Sequence, residues 1–135
     1  MKKVTTITTG LLVLFCAMAF INSNRGQQPG IWKAPAYADK ISNPLKGNSQ
    51  AILAGKKIFA QNCAPCHGYK GKGDGIAGVM LKPRPANLIS GRVQGQTDGA
   101  IFWKITTGRT PMASYKNVFN EVQRWDLVDY IRSLK

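Results

Sequence analysis

Two segments of the chain carry apolar residues at the three- and four-residue steps of an amphipathic helix. In the first, Ser49 is placed to cap a helix that continues to about Gln61. Its inward face would be formed by Ile52, Gly55, Phe59 and Cys63. In the second, Asn120 is placed to cap a helix that continues to about residue 134. Its inward face would be formed by Leu127, Val128, Ile131 and Leu134.

Glycine and proline are frequent between these two helices, where long loops are therefore expected. The pattern predicts a short helix over residues 76–81, ended before Pro83, and another that starts at Thr97 or Asp98 and continues through Ile105. No segment shows the period-two alternation of a strand. The sequence thus predicts a small all-α domain over residues 49–135, whose core is so small that a bound group should complete it.

The N-terminal segment has the pattern of an export signal. Lys2 and Lys3 precede an apolar run from Gly10 to Ile21. As a helix this run would span about 18 Å, which is short of the roughly 30 Å of a bilayer core. Residues 1–21 are therefore predicted to be a signal peptide, cleaved after Ala19, or alternatively a retained membrane anchor.

The next segment, residues 22–48, is rich in proline, glycine, asparagine and serine and has no helical or strand period. It is predicted to be a linker, or an arm that wraps onto the domain. Together with the leader, it indicates an exported, extracytoplasmic protein, soluble after cleavage or tethered to the membrane.

The net charge and the numbers of cysteine and histidine limit the classes of function that the chain can have. Lys and Arg number 19 against 6 acidic residues, a net charge of +13, which favours an anionic partner. Export argues against nucleic acid and leaves an acidic protein or an anionic membrane. Three cysteines and one histidine are too few for a four-ligand zinc site outside the leader and do not suit a paired disulfide scaffold.

The chemistry lies in Cys63-Ala64-Pro65-Cys66-His67, which has the C-x-x-C-H form of a covalent c-type haem site. Two thiols three positions apart can bond to two vinyl groups of one porphyrin, and the next residue can place its imidazole on the iron. A redox dithiol would require a strand before Cys63, and a structural disulfide would leave His67 unexplained. The motif therefore predicts one covalently bound haem c, with His67 as the proximal iron ligand.

Because His67 is the only histidine, the distal iron ligand is a methionine or a lysine, or the site is open, and two methionines lie outside the leader. Met80 falls on the apolar side of the predicted 76–81 helix, where a core role is expected. Met112 lies in a loop after Pro111, has no apolar neighbours in sequence and is the preferred ligand. A sulfur ligand at this position would close the iron to substrates.

On these residues the domain resembles class I cytochrome c, specifically the small bacterial mono-haem proteins. The spacing Gly55-x-x-x-Phe59-x-x-x-Cys63-x-x-Cys66-His67 is similar to the first helix and haem motif of that family, and Leu127-x-x-Tyr130 is similar to its last helix. The resemblance implies that the N- and C-terminal helices cross at Gly55 over a covalently bound haem. It also implies that the carbonyl of Pro83 or Pro85 accepts the Nδ1 proton of His67.

The function implied by the resemblance is that of an electron carrier in a respiratory chain, not an enzyme by itself. The alternatives are a fixed haem subunit of a larger membrane oxidoreductase complex and a haem enzyme or gas sensor with an open distal site. Redox proteins with acidic docking faces are the expected partners of the basic residues in the haem loops: Lys70, Lys72, Lys82, Arg84, Arg109 and Lys116. The G-x-G-x-x-G match at residues 73–78 predicts no nucleotide binding, because a haem motif and not a strand precedes it.

Overall fold

The computed structural model describes residues 31–134 of the chain, and the predicted leader and residues 22–30 lie outside these residues. Five α-helices follow one another in the described part: α1 (Ser49–Asn62), α2 (Ala64–His67), α3 (Gly91–Gln94), α4 (Asp98–Thr107) and α5 (Glu121–Ser133). A 3₁₀-helix, Ala36–Lys40, precedes them. No strand occurs between residues 31 and 134, and the predicted all-α fold is confirmed. None of the helices in this part is long and apolar enough to cross a membrane.

The long helices begin where side chains satisfy their free amides. Asn120 forms a capping box with Gln123 at the start of α5, and Thr97 accepts a hydrogen bond from the third residue of α4 at 3.1 Å. At α1 the cap is Asn48 and not the predicted Ser49. The Asn48 side chain accepts from the backbone amides of Gln50 and Ala51 at 2.8 and 3.2 Å, and Ser49 is the first helical residue.

The predicted helix over residues 76–81 is wrong, because this segment forms turns. Its amides do not form the i→i−4 bonds of an α-helix. The amide of Ala77 donates to the distant carbonyl of Pro65 at 2.9 Å, and that of Gly78 closes a turn with the carbonyl of Gly75 at 2.8 Å. A helix would need these groups for its own ladder. The apolar residues of this loop therefore do not form the face of a helix.

The first and last long helices cross at Gly55, as the resemblance implied. Gly55 is buried, and a Cβ at this position would overlap the carbonyl oxygen of Asp126. Next to the crossing, the rings of Phe59 and Tyr130 lie 5.1 Å apart. The core extends from here to α4, where Phe102 stacks on Trp125 with 4.0 Å between ring centroids.

The chain from Lys33 onward belongs to the same compact unit as the helices. Ala38 is fully buried, and its carbonyl lies against Gly99 in α4. The side-chain amide of Asn43 donates to Asp98 at 3.1 Å and to Asp129 at 3.0 Å, so that polar contacts tie this segment to both α4 and α5.

Candidate haem-attachment site

The C-x-x-C-H motif forms its own turn of helix at the end of α1. Cys63 closes α1 by donating to the carbonyl of Phe59 at 2.9 Å, and its own carbonyl receives the amides of Cys66 and His67 at 3.1 and 2.8 Å. Both thiols are half-buried, and neither is in a disulfide. One turn of backbone therefore carries two available sulfurs and the only histidine of the chain.

A helix of one turn is not stable by itself, and here the following loop completes it. All the carbonyls of α2 accept from amides of residues 68–77. The pairs are Gly68 to Ala64 at 2.8 Å, Ala77 to Pro65 at 2.9 Å, Gly75 to Cys66 at 3.2 Å and Gly73 to His67 at 2.7 Å. Gly73 has a φ of +79°, and a Cβ there would lie 2.5 Å from the carbonyl oxygen of Pro85. The glycines are thus required by the fit of the loop around the motif.

The His67 ring is held by a backbone carbonyl further along the same loop. Its Nδ1 lies 3.0 Å from the carbonyl oxygen of Ala86, and since a carbonyl only accepts, Nδ1 carries the proton. Neither Pro83 nor Pro85, which the resemblance suggested, is this acceptor. The Nε2 lone pair is then free for a metal, as is usual for a ligand histidine.

The electrostatics favour the neutral forms of these groups. Burial lowers the pKa of His67, although the hydrogen bond to Ala86 opposes this effect. Burial, followed by the neighbouring Cys66, raises the pKa of the Cys63 thiol to about 12. The site thus holds a neutral imidazole, which is the form that binds iron, beside a protonated thiol.

Tyr115 is a residue at this site that the sequence reasoning missed. Burial raises its pKa, with further contributions from Cys63 and then Cys66. Its hydroxyl donates to the carbonyl of Asn62 at 3.1 Å, directly before the motif. A tyrosine between polar residues in a loop carries no sequence signal for this contact.

Met112 lies on the segment that Tyr115 ties to the motif. Met112 and Arg109 exchange backbone hydrogen bonds of 2.8 and 2.9 Å across a tight turn that contains Pro111, and the Met112 side chain is half-buried. Met80 is 86% exposed, so its interpretation as a core residue is wrong. Of the two methionines, only Met112 has a partly buried side chain.

The donor set fits a covalently bound haem. The chain offers two free thiols, an imidazole with its Nε2 unprotonated, and a thioether on a loop tied to the motif. Among residues 31–134, no three or more His, Cys, Asp or Glu side chains are grouped as an ordinary metal site would require. The site therefore suits iron within a porphyrin better than a bare metal ion.

Comparison with known proteins agrees with this chemistry. The family described as "Cytochrome C oxidase, cbb3-type, subunit III" matches residues 50–131. The chain is similar to the cbb3-type cytochrome c oxidase subunit CcoP of Rubrivivax gelatinosus, with 32% identity over 75% of this chain and 33% of that protein. It is also similar to cytochrome c6 of Euglena gracilis, with 29% identity over 57% of this chain and 85% of that protein.

The fold has a counterpart among solved structures. A chain of the reducing HAO-like protein complex of Kuenenia stuttgartiensis superimposes with a TM-score of 0.60 and 32% identity, covering 67% of this chain and 46% of the other. The chain spans about a third of the CcoP subunit that it matches. The resemblance to cytochrome c and the expectation of one haem c are confirmed, and the chain belongs to the cytochrome c family, within the domains described as cbb3-type cytochrome c oxidase subunit III.

Proposed function

We propose that this protein carries single electrons, with Cys63 and Cys66 as the thioether anchors of one haem c, His67 as proximal iron ligand and Met112 as distal ligand. The observation that supports the proposal best is the hydrogen bond of 3.0 Å between Nδ1 of His67 and the carbonyl of Ala86. It places the ring proton on Nδ1 and leaves the lone pair of Nε2 for iron. The two free thiols on the same helical turn supply the covalent anchors.

In the proposed attachment, each thiol adds across a vinyl group, so that sulfur bonds to one carbon and hydrogen to the other. Haem c, when bound, supplies an iron that accepts and releases one electron. The hydrogen-bonded loop around α2 keeps both anchors and the His67 backbone in place during this change. A site that rearranges little between two oxidation states suits electron transfer, and a sulfur ligand from Met112 raises the potential relative to two nitrogen ligands.

We further propose that acidic redox proteins dock on the basic surface near the motif. Lys70, Lys72, Lys82 and Arg84 are exposed, and Asp74 is the single acid in the loop between Gly68 and Ala86. Charge of one sign accelerates association with an opposite partner and loses this effect as salt is added. The rate of electron transfer to an acidic protein should therefore fall with ionic strength, and a rate independent of salt would contradict this part.

Two relatives favour a second reading, in which the domain is a fixed haem subunit of a membrane oxidoreductase. CcoP and the similar FixP of Azorhizobium caulinodans are both named as oxidase subunits, and this chain spans 33% and 23% of them. Cytochrome c6, of which the chain matches 85%, favours the shuttle. Purification of the exported protein separates the two, because a fixed subunit would co-purify with membrane proteins.

The ligand assignment is tested by two matched substitutions. Met112→Leu should abolish the weak long-wavelength absorption band of methionine-bound ferric haem, whereas Met80→Leu should leave it unchanged because Met80 is 86% exposed. Mass spectrometry of the same preparations should show one haem added to each chain and report whether the leader is removed. A band that survives in Met112→Leu would exclude Met112 as the ligand.

A further inference from the structure

The loop that carries Met112 is built on the C-terminal end of α4. The hydroxyl of Ser114 donates to the carbonyl of Thr106 at 2.7 Å, and the amide of Tyr115 donates to the carbonyl of Ile105 at 3.1 Å. Both acceptors belong to the last turn of α4, where carbonyls have no partner within the helix. The position of Met112 therefore depends on the position of this end of the helix.

A glycine joins α4 to this loop and lies directly against it. Gly108 has a φ of +67°, and a Cβ there would lie 2.5 Å from the carbonyl carbon of Ala113 and from the amide nitrogen of Ser114. Glycine permits both the turn of the backbone and this close approach. Because the end of α4 and the loop are in backbone contact, a shift of the helix would displace Met112 with it.

The N-terminal end of α4 is in contact with residues 36–43, which we call the docked arm. A Cβ at Gly99 would overlap the carbonyl oxygen of Ala38 and lie 2.6 Å from the carbonyl oxygen of Ile41. Ala38 is fully buried, and Gly99 is buried in the first turn of the helix. The backbones of the docked arm and of α4 therefore pack directly on each other.

Side-chain hydrogen bonds extend this contact along the first two turns of α4. Thr97, the N-cap of the helix, accepts from the amide of Ala100 at 3.1 Å and donates its hydroxyl proton to the carboxylate of Asp39 at 2.7 Å. The docked arm thus completes the cap of α4. Further along the helix, Trp103 donates its Nε1 proton to the hydroxyl of Tyr37 at 2.9 Å. The start of α4 is therefore held by the docked arm.

We propose that the docked arm is a positioning element for the distal ligand, because it fixes the start of the helix whose end carries Met112. The inference rests on the proposed function, with Met112 bound to iron, and adds a region outside the haem loops that determines how firmly this ligand is held. With 10 residues, α4 spans about 15 Å and transmits a displacement of one end to the other. Ligand groups must be held within about 0.5 Å of their productive geometry, so a small tilt of α4 is enough to loosen Met112.

A second support of α4 determines how large the effect of the docked arm should be. Phe102 stacks on Trp125 of α5 with 4.0 Å between ring centroids, and Arg132 of α5 pairs with Asp98 at 2.7 Å. These contacts remain when the docked arm is weakened. Loss of one contact of the docked arm should therefore loosen the distal ligand and not release it.

Titration of the ferric holoprotein with imidazole tests the proposal, with loss of the long-wavelength band of methionine-bound haem as the measurement. Asp39→Ala removes the acceptor of the Thr97 hydroxyl and should lower the imidazole midpoint about threefold to tenfold, as expected for one hydrogen bond. Asp39→Asn is the matched control, because it removes the same charge and keeps an oxygen that accepts. Its midpoint should stay within about twofold of wild type. Gly99→Ala forces the two backbones apart and should lower the midpoint about tenfold or more.

Asn48→Ala controls for a general loss of stability. It removes the cap of α1 and should lower the unfolding free energy in urea, while the imidazole midpoint stays within about twofold of wild type. Asp39 is exposed, so both substitutions at this position should leave the fold intact.

Three results would overturn the proposal. The first is an unchanged midpoint in both Asp39→Ala and Gly99→Ala. The second is an equal decrease in Asp39→Ala and Asp39→Asn, which would assign the effect to charge. The third is a decrease in Asn48→Ala as large as that in Asp39→Ala, which would assign the effect to overall stability.

The spectrum of the wild type separates this inference from the proposed function. Wild-type protein without the long-wavelength band would refute Met112 as the distal ligand, whatever the variants show. A normal wild-type band together with any of the three results above would refute only the role of the docked arm.

Discussion

The crossing of α1 and α5 gives the sharpest test of how the fold is held together, through Gly55→Ala. The new Cβ would overlap the backbone oxygen of Asp126 and lie 2.9 Å from the Cβ of Tyr130. Neither obstacle is the end of a flexible side chain, so the helices must move apart. Overpacking of this kind costs about 1–3 kcal/mol, and the rigid obstacle places Gly55→Ala at about 3 kcal/mol.

Helix propensity offsets part of this cost, because alanine is favoured over glycine by about 1 kcal/mol inside a helix. The expected net loss is therefore about 2 kcal/mol of unfolding free energy. For a domain of about 100 residues this corresponds to a decrease in Tm of about 8 °C. The displacement also weakens the ring contact between Phe59 and Tyr130, whose centroids are 5.1 Å apart, so the loss should not be smaller than this.

The assay is thermal and urea unfolding of the holoprotein followed by circular dichroism, with the haem spectrum recorded to show that iron ligation is unchanged. Gly91→Ala is the matched control. Gly91 is the first residue of α3, and a Cβ there meets nothing within 4 Å. This substitution should leave stability unchanged or raise it by up to about 1 kcal/mol. If Gly55→Ala melts within about 2 °C of wild type, the argument that the helix crossing requires glycine is refuted.

Three further substitutions test contacts at and around the site. Tyr115→Phe removes the hydroxyl bond to Asn62, so the unfolding free energy in urea should fall by about 0.5–1.5 kcal/mol. Added imidazole should also displace the proposed ligand Met112 at a lower concentration than in the wild type. An unchanged imidazole titration would contradict a role of Tyr115 in holding the loop. The buried carboxylate of Asp129 accepts from the backbone amide of Gly47 at 2.9 Å and from the side-chain amide of Asn43 at 3.0 Å, and Asp129→Asn removes one of these acceptors. The unfolding free energy in urea should fall by about 1–3 kcal/mol. Unchanged stability would show that the segment before α1 does not depend on Asp129. Asp126→Asn should be stabilising only above the ordinary carboxyl pKa of about 3.9, because burial and the neighbouring Asp129 raise the pKa of Asp126 and the folded state disfavours its charge. Unfolding at about pH 3 and pH 7 measures this, and an equal effect at both pH values would contradict it.

The elements that could be predicted from the sequence are those that depend on nearby residues. The apolar period of α1 and α5 and the side chains of Thr97 and Asn120 act within one or two helical turns, and the structure places these helices within two residues of the expected bounds. The helix crossing at Gly55 could be predicted for a related reason. A glycine with a cost in helix propensity needs a compensating contact, and the resemblance named the partner.

The failures occur where a distant backbone group decides the conformation. The period of Ile76, Val79 and Met80 suits a helix, but the amide of Ala77 between them is bonded to the carbonyl of Pro65 in α2. Likewise, the acceptor for His67 was expected at Pro83 or Pro85, and the observed acceptor lies in the same segment. The identity of the acceptor, the carbonyl of Ala86, depends on the path of the loop in three dimensions and has no counterpart in residue type.

The contacts of the arm and of Tyr115 could not be predicted for a second reason, since they join polar groups that are far apart in sequence. Asn43 reaches Asp129 across 86 positions, and Tyr115 reaches Asn62 across 53. Asparagine and tyrosine in loops are as often solvated as bonded, so neither residue type indicates such a partner. Only the assembled core brings these pairs together.

The loop after the motif supports the proposed attachment site through its main chain. Its glycine amides complete the one-turn helix that carries Cys66 and His67, so a change at Gly73 or Gly75 should disturb haem attachment together with the surface of the loop. The exposed side chain of Ile76 contributes to neither of these hydrogen bonds nor to the core. Substitution of Ile76 should therefore leave the haem spectrum that of the wild type. The proposed attachment site thus depends on the main chain of this loop and not on its exposed side chains.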